Sequence, residues 1–230
     1  MSEKVISKTN TIRFAWCYAF IVILDLICGS LEGFEVFRYF TKPSILIALL
    51  VFFIKNNSML TKGVRRYMLL AIIFSLIGDV FLLFDKMHSL FFIGGLASFL
   101  MAHIFYVLVF AKKRNKKRKG TVFLIFTLVY GAVLFCVIQE GLAALLMPVA
   151  VYMIIILTMS NMAYLRKGMV PHISYGLVFI GSLFFMLSDS LLAINMFHTS
   201  LFLGNILIMS TYAIAQFLIV YGVLNQEDRG

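Results

Sequence analysis

The chain alternates between long apolar runs and short polar segments. Each run is continuously apolar, whereas the strands of a membrane barrel alternate apolar and polar residues. A helix that spans a bilayer needs about 20 mostly apolar residues, and the pattern predicts eight of them. Their approximate bounds are 14–31, 41–55, 67–84, 89–111, 121–138, 142–165, 173–196 and 200–223. The sequence therefore predicts an all-α, polytopic membrane protein with eight transmembrane helices.

The first two predicted helices need separate arguments. The first follows a basic N-terminus, but it is longer than the apolar core of a signal peptide and contains Asp25. We interpret it as a retained membrane anchor. The second is short and follows the polar segment 32–38; it is expected to begin at Lys42-Pro43. Proline suits the first turn of a helix, because its fixed φ and missing N–H cost nothing there.

Composition supports the membrane assignment and excludes other classes. Hydrophobic residues make up 62% of the 230 positions and charged residues 13%, against about 45–50% and about 25% in soluble domains. The same figures exclude a disordered chain. Three cysteines are too few for a disulfide-rich secreted module. All three fall inside predicted helices without metal-ligand spacing, so we interpret them as small apolar residues.

The net charge of +10 reflects topology. Seven of the 20 Lys and Arg residues lie in the segment 112–119, between two apolar runs. A nucleic-acid-binding protein needs a basic face on a folded surface, so we expect no nucleic-acid partner. With eight spans, 17 of the 20 basic residues share one side with both termini. The positive-inside rule makes that side cytoplasmic, and the segment 112–119 a determinant of topology and lipid-headgroup contact.

The two halves of the chain resemble each other. Three pairs recur at offsets of 105, 110 and 110 residues: Lys42-Pro43 with Met147-Pro148, Gly78-Asp79 with Ser188-Asp189, and Tyr106 with Gln216. The spacing predicts one membrane domain, 1–230, built from two four-helix repeats. They cover about 14–111 and 121–223 and are joined by the basic loop 112–120. Because four is even, the repeats share one topology, with the two aspartates facing each other across a pseudo-twofold axis.

Four ionisable residues lie within predicted spans: Asp25, Asp79, His103 and Asp189. A charged group at the bilayer centre costs about 2.5–3.5 kcal/mol on insertion scales, so each is a functional candidate. At 1.5 Å per residue, Asp79 and Asp189 lie roughly 7–11 Å inside the outer ends of their helices. Hydrogen bonding between helices remains an equal alternative for Asp25 and His103. One histidine without a cysteine pair supplies too few ligands for zinc.

Two desolvated carboxylates suit acid–base catalysis. One can hold a proton and act as a general acid while its ionised partner orients a water molecule. Asp79 and Asp189, each preceded by a small residue, are therefore the predicted catalytic pair. Lys42 enters the second helix from the same side of the membrane as both carboxylates.

These residues together resemble a known family. The motifs are Lys42-Pro43, Gly78-Asp79, His103-Ile104-Phe105-Tyr106, Pro148 with Tyr152, Ser188-Asp189, and Tyr212 with Ala215-Gln216. Each is short, but their order and spacing from the second helix to the eighth resemble those of the YhhN-like lysoplasmalogenases. These enzymes share the eight-helix plan.

The resemblance implies hydrolysis of the vinyl ether bond of lysoplasmalogens to a fatty aldehyde and glycerophosphocholine or glycerophosphoethanolamine. It implies no cofactor, a lysophospholipid substrate among membrane lipids, and a place in the bacterial cytoplasmic (inner) membrane. A bacterium without plasmalogens would need another substrate. Asp79 and Asp189 would divide the acid and water-activating roles, in an order left open. Lys42 would bind the headgroup phosphate or pair with an aspartate. The surrounding hydrogen-bonding residues would be His103, Tyr106, Tyr152, Tyr212 and Gln216.

Two other functions use the same carboxylates. An intramembrane aspartyl protease also has two aspartates on separate helices, but its Gly-x-Gly-Asp motif is replaced here by Leu76-Ile77-Gly78-Asp79. A transporter would use Asp79 and Asp189 as proton or cation sites. Few predicted helices are interrupted at mid-membrane, as transporter helices often are, although Pro148 and Gly94-Gly95 come closest. A purely structural scaffold has no need of matched carboxylates. The oligomeric state is not determined by these patterns.

Overall fold

The regular structure is helical. A computed structural model describes residues 8–226, and this part of the chain contains eight α-helices, two short 3-10 helices and no β-strand. The α-helices are α1 (Lys8–Cys28), α2 (Arg38–Asn56), α3 (Lys62–Leu82), α4 (Ser89–Ala111), α5 (Thr121–Leu142), α6 (Leu146–Tyr164), α7 (His172–Phe197) and α8 (Gly204–Leu224). The predicted all-α class is confirmed.

Six segments of the described chain are long and apolar enough to cross a membrane: Thr9–Cys28, Glu35–Asn56, Ser89–Ala111, Thr121–Tyr164, His172–Phe197 and Gly204–Leu224. The segment Thr121–Tyr164 contains both α5 and α6 within 44 residues. Helix α3 is not among the six, and Lys62, Arg65 and Arg66 crowd its first turns. The molecule is a membrane protein, and the number of crossings stays a prediction.

The second helix begins earlier than the sequence predicted. A 3-10 helix, Glu35–Phe37, runs directly into α2 at Arg38, so Pro43 lies inside the helix rather than in its first turn. The lost N–H removes only the hydrogen bond to the carbonyl of residue 39, near the helix end. The polar segment 32–38, which was expected to precede the second helix, is therefore partly helical. Lys4 and Arg229, which enter the charge count, lie outside the described residues.

Close helix packing at glycines forms the centre of the bundle. A Cβ on Gly78 of α3 would lie 2.7 Å from two ring carbons of Phe99 in α4. Likewise, a Cβ on Gly222 of α8 would lie 3.0 Å from the backbone nitrogen of Val178 in α7. Small residues allow helix backbones to approach closely in membranes. The helix pairs α3–α4 and α7–α8 are thus tightly packed, and they carry Asp79, His103 and Asp189.

Helix α5 lies at the periphery. Val122 and Phe126 are 83% and 61% exposed, an apolar surface suited to contact with lipid tails. Its inner face packs on α6, where a Cβ on Gly131 would lie 2.6 Å from Leu157. Asn161 also donates a 2.8 Å hydrogen bond to the Thr127 hydroxyl. This mixture of small-residue packing and a polar bridge joins α5 to the rest of the bundle.

Candidate active site

Asp79 lies between a cation and a hydroxyl donor. It is buried near the end of α3, and its Oδ2 accepts a 2.8 Å hydrogen bond from the Tyr212 hydroxyl of α8. Its Oδ1 lies 3.9 Å from Nζ of Lys42 in α2, and the two side chains are only 3% and 8% exposed. Asp79 and Lys42 therefore form a buried ion pair, with Tyr212 satisfying a second carboxylate lone pair.

Asp189 has polar partners of another kind. The Tyr152 hydroxyl of α6 donates a hydrogen bond to its Oδ2. Nε2 of the fully buried His103 in α4 lies 3.7 Å from the same oxygen. The His103 imidazole packs edge-on against the rings of Tyr152 and Phe185. Within residues 8–226, no Lys or Arg forms an ion pair with Asp189.

The two carboxylates have corresponding neighbours. Asp79 of α3 contacts α2 and α8, and Asp189 of α7 contacts α6 and α4. The contacting residues Lys42 and Tyr152 are 110 positions apart, as are the two aspartates, and His103 and Tyr212 are 109 apart. The main chemical difference between the two arrangements is that Asp79 has the ammonium group of Lys42 where Asp189 has the phenol of Tyr152.

A third polar contact joins α4 to α8 between these groups. The Tyr106 hydroxyl donates a 2.6 Å hydrogen bond to Oε1 of Gln216, and both residues are fully buried. The Gln216 amide donates in turn to the hydroxyl of Ser75 in α3, at 3.0 Å. Tyr106 and Gln216 are themselves 110 positions apart. This satisfied chain joins α3, which carries Asp79, to α4 and α8.

Both carboxylates line one polar chamber of about 610 Å³. Its walls come from the chain around α2, α3, α7 and α8, and its other charged lining residues are Glu35, Arg38, Lys42, Asp85 and Lys86. A chamber of this size admits water and a polar group. Two carboxylates with different partners, in reach of the same contents, can supply a proton donor and a proton acceptor.

A smaller apolar pocket of about 70 Å³ adjoins the chamber. Side chains from α4 to α7 line it, among them Leu96, Leu134 and Ile138. Asp189, Phe99, Leu82 and Leu192 line both spaces, whereas Asp79 lines only the polar chamber. Asp189 therefore lies where an apolar pocket meets a polar one. This arrangement suits an amphipathic molecule with its apolar and polar parts on opposite sides of Asp189.

The eight residues predicted for the site come together in three contacting groups. The groups are Lys42, Asp79 and Tyr212; His103, Tyr152 and Asp189; and Tyr106 with Gln216. Their chemical roles stay predictions.

Sequence reasoning missed Arg38, Ser75 and Asn205. Ser75 joins the contact between Tyr106 and Gln216, and the other two line the chamber. The available signal was that Arg38 is one of only three basic residues on the predicted outer side. For Asp25, a functional role and hydrogen bonding between helices were equal alternatives. Its Oδ1 accepts a 2.7 Å hydrogen bond from Thr41 and lies 3.7 Å from Nε of Arg38.

Fold and site define a polytopic α-helical membrane protein in which two carboxylates, Asp79 and Asp189, line one chamber. The chain belongs to the YhhN family, whose model matches residues 37–223. It is 34% identical over 154 residues to human lysoplasmalogenase TMEM86B and 30% identical over 162 residues to human lysoplasmalogenase TMEM86A. These alignments cover 67% and 68% of this chain, but only 62% and 65% of the relatives, which is less than two thirds of their length. No solved structure matches the chain significantly.

Proposed function

We propose that the chain is an intramembrane lysoplasmalogenase. It hydrolyses the vinyl ether bond of a lysoplasmalogen to a fatty aldehyde and glycerophosphocholine or glycerophosphoethanolamine. The observation that carries the proposal is the position of Asp189 at the junction of the apolar pocket and the polar chamber, with Asp79 in the same chamber. The names of the two human relatives point to the same reaction.

The substrate matches the two spaces in its polarity. In a lysoplasmalogen, the vinyl ether lies where the hydrocarbon chain meets the glycerol. With the alkenyl chain in the apolar pocket and the head group in the chamber, the vinyl ether lies beside Asp189. The pocket at rest is narrow, so the long chain continues between the helices toward the surrounding lipid. Lysophospholipid and membrane lipids are thus the proposed partners.

The two carboxylates divide the chemistry. Asp189 donates its proton to the alkenyl carbon that is not bonded to oxygen, and an oxocarbenium ion forms. Asp79 accepts a proton from a water molecule as its oxygen bonds to the oxocarbenium carbon. In the resulting hemiacetal, Asp189 takes the hydroxyl proton while Asp79 returns a proton to the departing glycerol oxygen. Aldehyde and alcohol are released, and both carboxyl groups regain their starting states.

The partners of each aspartate support this assignment. Asp79 faces the ammonium group of Lys42, which favours a carboxylate that can act as the base. Asp189 lines the apolar pocket and has no Lys or Arg ion-pair partner among residues 8–226, which suits a neutral carboxylic acid. His103, Tyr152 and Tyr212 orient the carboxyl groups. Tyr106 and Gln216 hold α4 and α8 together.

Eight crossings and a tandem repeat belong to the same proposal. At 1.5 Å per residue, a 44-residue helix is about twice as long as the bilayer is thick. Instead, α5 and α6 are separated at Ala143, whose φ is 42°. The basic residues of α3 all lie in its first turns, so the rest of the helix is long enough to enter the bilayer. Matching neighbours of Asp79 and Asp189 at an offset of 110 support duplicated four-helix units. The basic residues favour cytoplasmic termini, and we place the protein in the bacterial cytoplasmic membrane.

The test is aldehyde release by the purified protein in detergent. Three lysophospholipids with the same chain length and head group are compared: a vinyl ether, a saturated ether and an ester. We expect aldehyde from the vinyl ether alone. In D₂O, the aldehyde should carry one deuterium on the carbon beside the carbonyl, because the acid protonates that carbon. An absence of aldehyde from the folded protein would contradict the proposed reaction.

Matched variants test the catalytic pair. Asp79→Asn and Asp189→Asn should each lower kcat by about 10²–10⁴-fold, the usual contribution of general acid–base catalysis. Glu140→Gln removes an exposed carboxylate of α5 and should leave kcat unchanged. Folding is checked by size-exclusion chromatography and circular dichroism. Full activity in folded Asp79→Asn or Asp189→Asn would refute the acid–base assignment.

A further inference from the structure

The Arg38 side chain is held at the chamber wall from two neighbouring helices. Its terminal NH2 group donates a 2.9 Å hydrogen bond to Oδ1 of Asn205 in α8, and its Nε lies 3.7 Å from Oδ1 of the buried Asp25 in α1. The Thr41 hydroxyl donates to the same Asp25 oxygen at 2.7 Å. A guanidinium group has five N–H donors, so donors remain for a ligand in the chamber that Arg38 lines.

Gly29 makes room for this arrangement. A Cβ at Gly29 would lie 2.5 Å from Nδ2 of Asn205 and 2.9 Å from Nε of Arg38, and any other residue would displace both side chains. Asn205 also donates to the Gly29 carbonyl at 3.3 Å. Two side chains and one glycine therefore converge on one guanidinium group. The side chain of Arg38 is 20% exposed, so it is fixed without being sealed off.

The other chamber cations are less suited to an anion. Lys42 is one helical turn deeper, about 6 Å along α2, and its ammonium group is paired with Asp79. Lys86 is exposed and no ion pair holds it in place among the described residues. Arg38 combines a fixed position with a planar fork of donors that matches phosphate oxygens.

We propose that Arg38 forms a phosphate-binding subsite, which holds the phosphodiester of a lysophospholipid head group, and that Asp25, Asn205 and Gly29 position its guanidinium group. The inference rests on the proposed function and assigns the headgroup end of that site. The order along α2 fits the substrate: Arg38 starts the helix, and Lys42 with Asp79 lies deeper. In a lysoplasmalogen, the glycerol carbons likewise separate the phosphate from the vinyl ether. Lys42 then serves Asp79 rather than the phosphate.

Ligand binding tests the subsite without requiring catalysis. The probes are a saturated-ether lysophosphatidylethanolamine and the 1-O-alkylglycerol of the same chain, which lacks the phosphate. Binding to the purified protein in nanodiscs is measured by competition with a fluorescent lysolipid. We expect Arg38→Gln to weaken binding of the phosphate-bearing probe by about tenfold to hundredfold, as for hydrogen bonds to a charged group. Binding of the alkylglycerol should be unchanged.

Two further variants separate charge from position. Arg38→Lys keeps the charge but loses the planar fork, and it should recover only part of the lost affinity. Gly29→Ala keeps Arg38 but displaces its guanidinium group, and it should selectively weaken binding of the phosphate-bearing probe. Arg66→Gln and Gly176→Ala are matched controls, since Arg66 is exposed at the opposite end of the bundle and a Cβ at Gly176 meets nothing within 4 Å. Neither should alter binding of either probe.

The outcomes separate this inference from the proposed function. Equal weakening of both probes by Arg38→Gln and Gly29→Ala would indicate a structural effect and overturn the phosphate subsite. Unchanged binding of both probes in these variants would overturn it as well. The subsite would also be overturned if inorganic phosphate displaced the fluorescent lysolipid at lower concentrations than glycerophosphoethanolamine does. Arg38-dependent binding without aldehyde release supports the subsite and refutes the hydrolase. Aldehyde release together with binding that does not depend on Arg38 supports the hydrolase and refutes the phosphate subsite.

Discussion

The Lys42–Asp79 ion pair allows a quantitative test of the site. At 3.9 Å, two unit charges attract each other by about 4 kcal/mol at an effective dielectric constant of about 20. The low exposure of both side chains justifies this dielectric constant rather than that of water. Lys42→Met removes the cation and leaves the buried Asp79 carboxylate without its ionic partner. We expect the free energy of unfolding to fall by about 3–5 kcal/mol, as when one partner of a buried pair is removed.

A double-mutant cycle isolates the pair. Unfolding by SDS in mixed micelles is followed by circular dichroism for wild type, Lys42→Met, Asp79→Asn and the double variant. Because the double variant leaves neither charge unpaired, it should be less destabilised than the sum of the single variants, by about 3 kcal/mol or more. Lys86→Met is the control and should alter stability by no more than about 0.5 kcal/mol, as an exposed chamber residue. Additivity within about 0.5 kcal/mol would refute the ion pair.

Three other changes test the packing around the site. Gly78→Ala places a Cβ against the Phe99 ring and should lower the free energy of unfolding by about 1–3 kcal/mol. An unchanged free energy of unfolding in the same SDS titration would count against the close contact between α3 and α4. Asn161→Leu removes the bridge to Thr127 and should cost about 1 kcal/mol; in a Thr127→Val background the same change should cost less. Ala193→Phe narrows the apolar pocket and should raise KM more for long-chain than for short-chain lysoplasmalogens in the aldehyde assay, whereas an equal rise would contradict a chain-binding role.

Much of the bundle was predictable because the membrane makes its signals plain. Continuous apolar runs indicate helices, and an aspartate inside such a run stands out, as Asp79 and Asp189 did. Helix ends were less certain, because a polar residue near the membrane surface is compatible with both loop and helix. The sequence analysis therefore began the second helix at Lys42-Pro43, whereas α2 begins at Arg38. As a result, Arg38 was not recognised as a residue that lines the chamber.

The contacts of the two aspartates could not be predicted in the same way. Sequence comparison paired Lys42-Pro43 with Met147-Pro148 at an offset of 105, because proline is a visible marker. The side chains beside the two carboxylates are instead Lys42 and Tyr152, at an offset of 110. Depth in the membrane determines which side chain can reach an aspartate, whereas proline is tolerated at several positions near a helix start. A pairing based on prolines therefore misses the residues that correspond in position beside the two carboxylates.

This difference between Lys42 and Tyr152 bears directly on the proposed mechanism. Two identical half-sites would give two carboxyl groups with the same protonation behaviour, and neither would be set as acid or base. An ammonium group in one half and a phenol in the other make the surroundings unequal while the geometry stays matched. The chamber and the pocket repeat the asymmetry, since Asp189 meets both and Asp79 meets only the polar one. Under the proposed mechanism, the side that meets the hydrocarbon chain is therefore the side that delivers the proton.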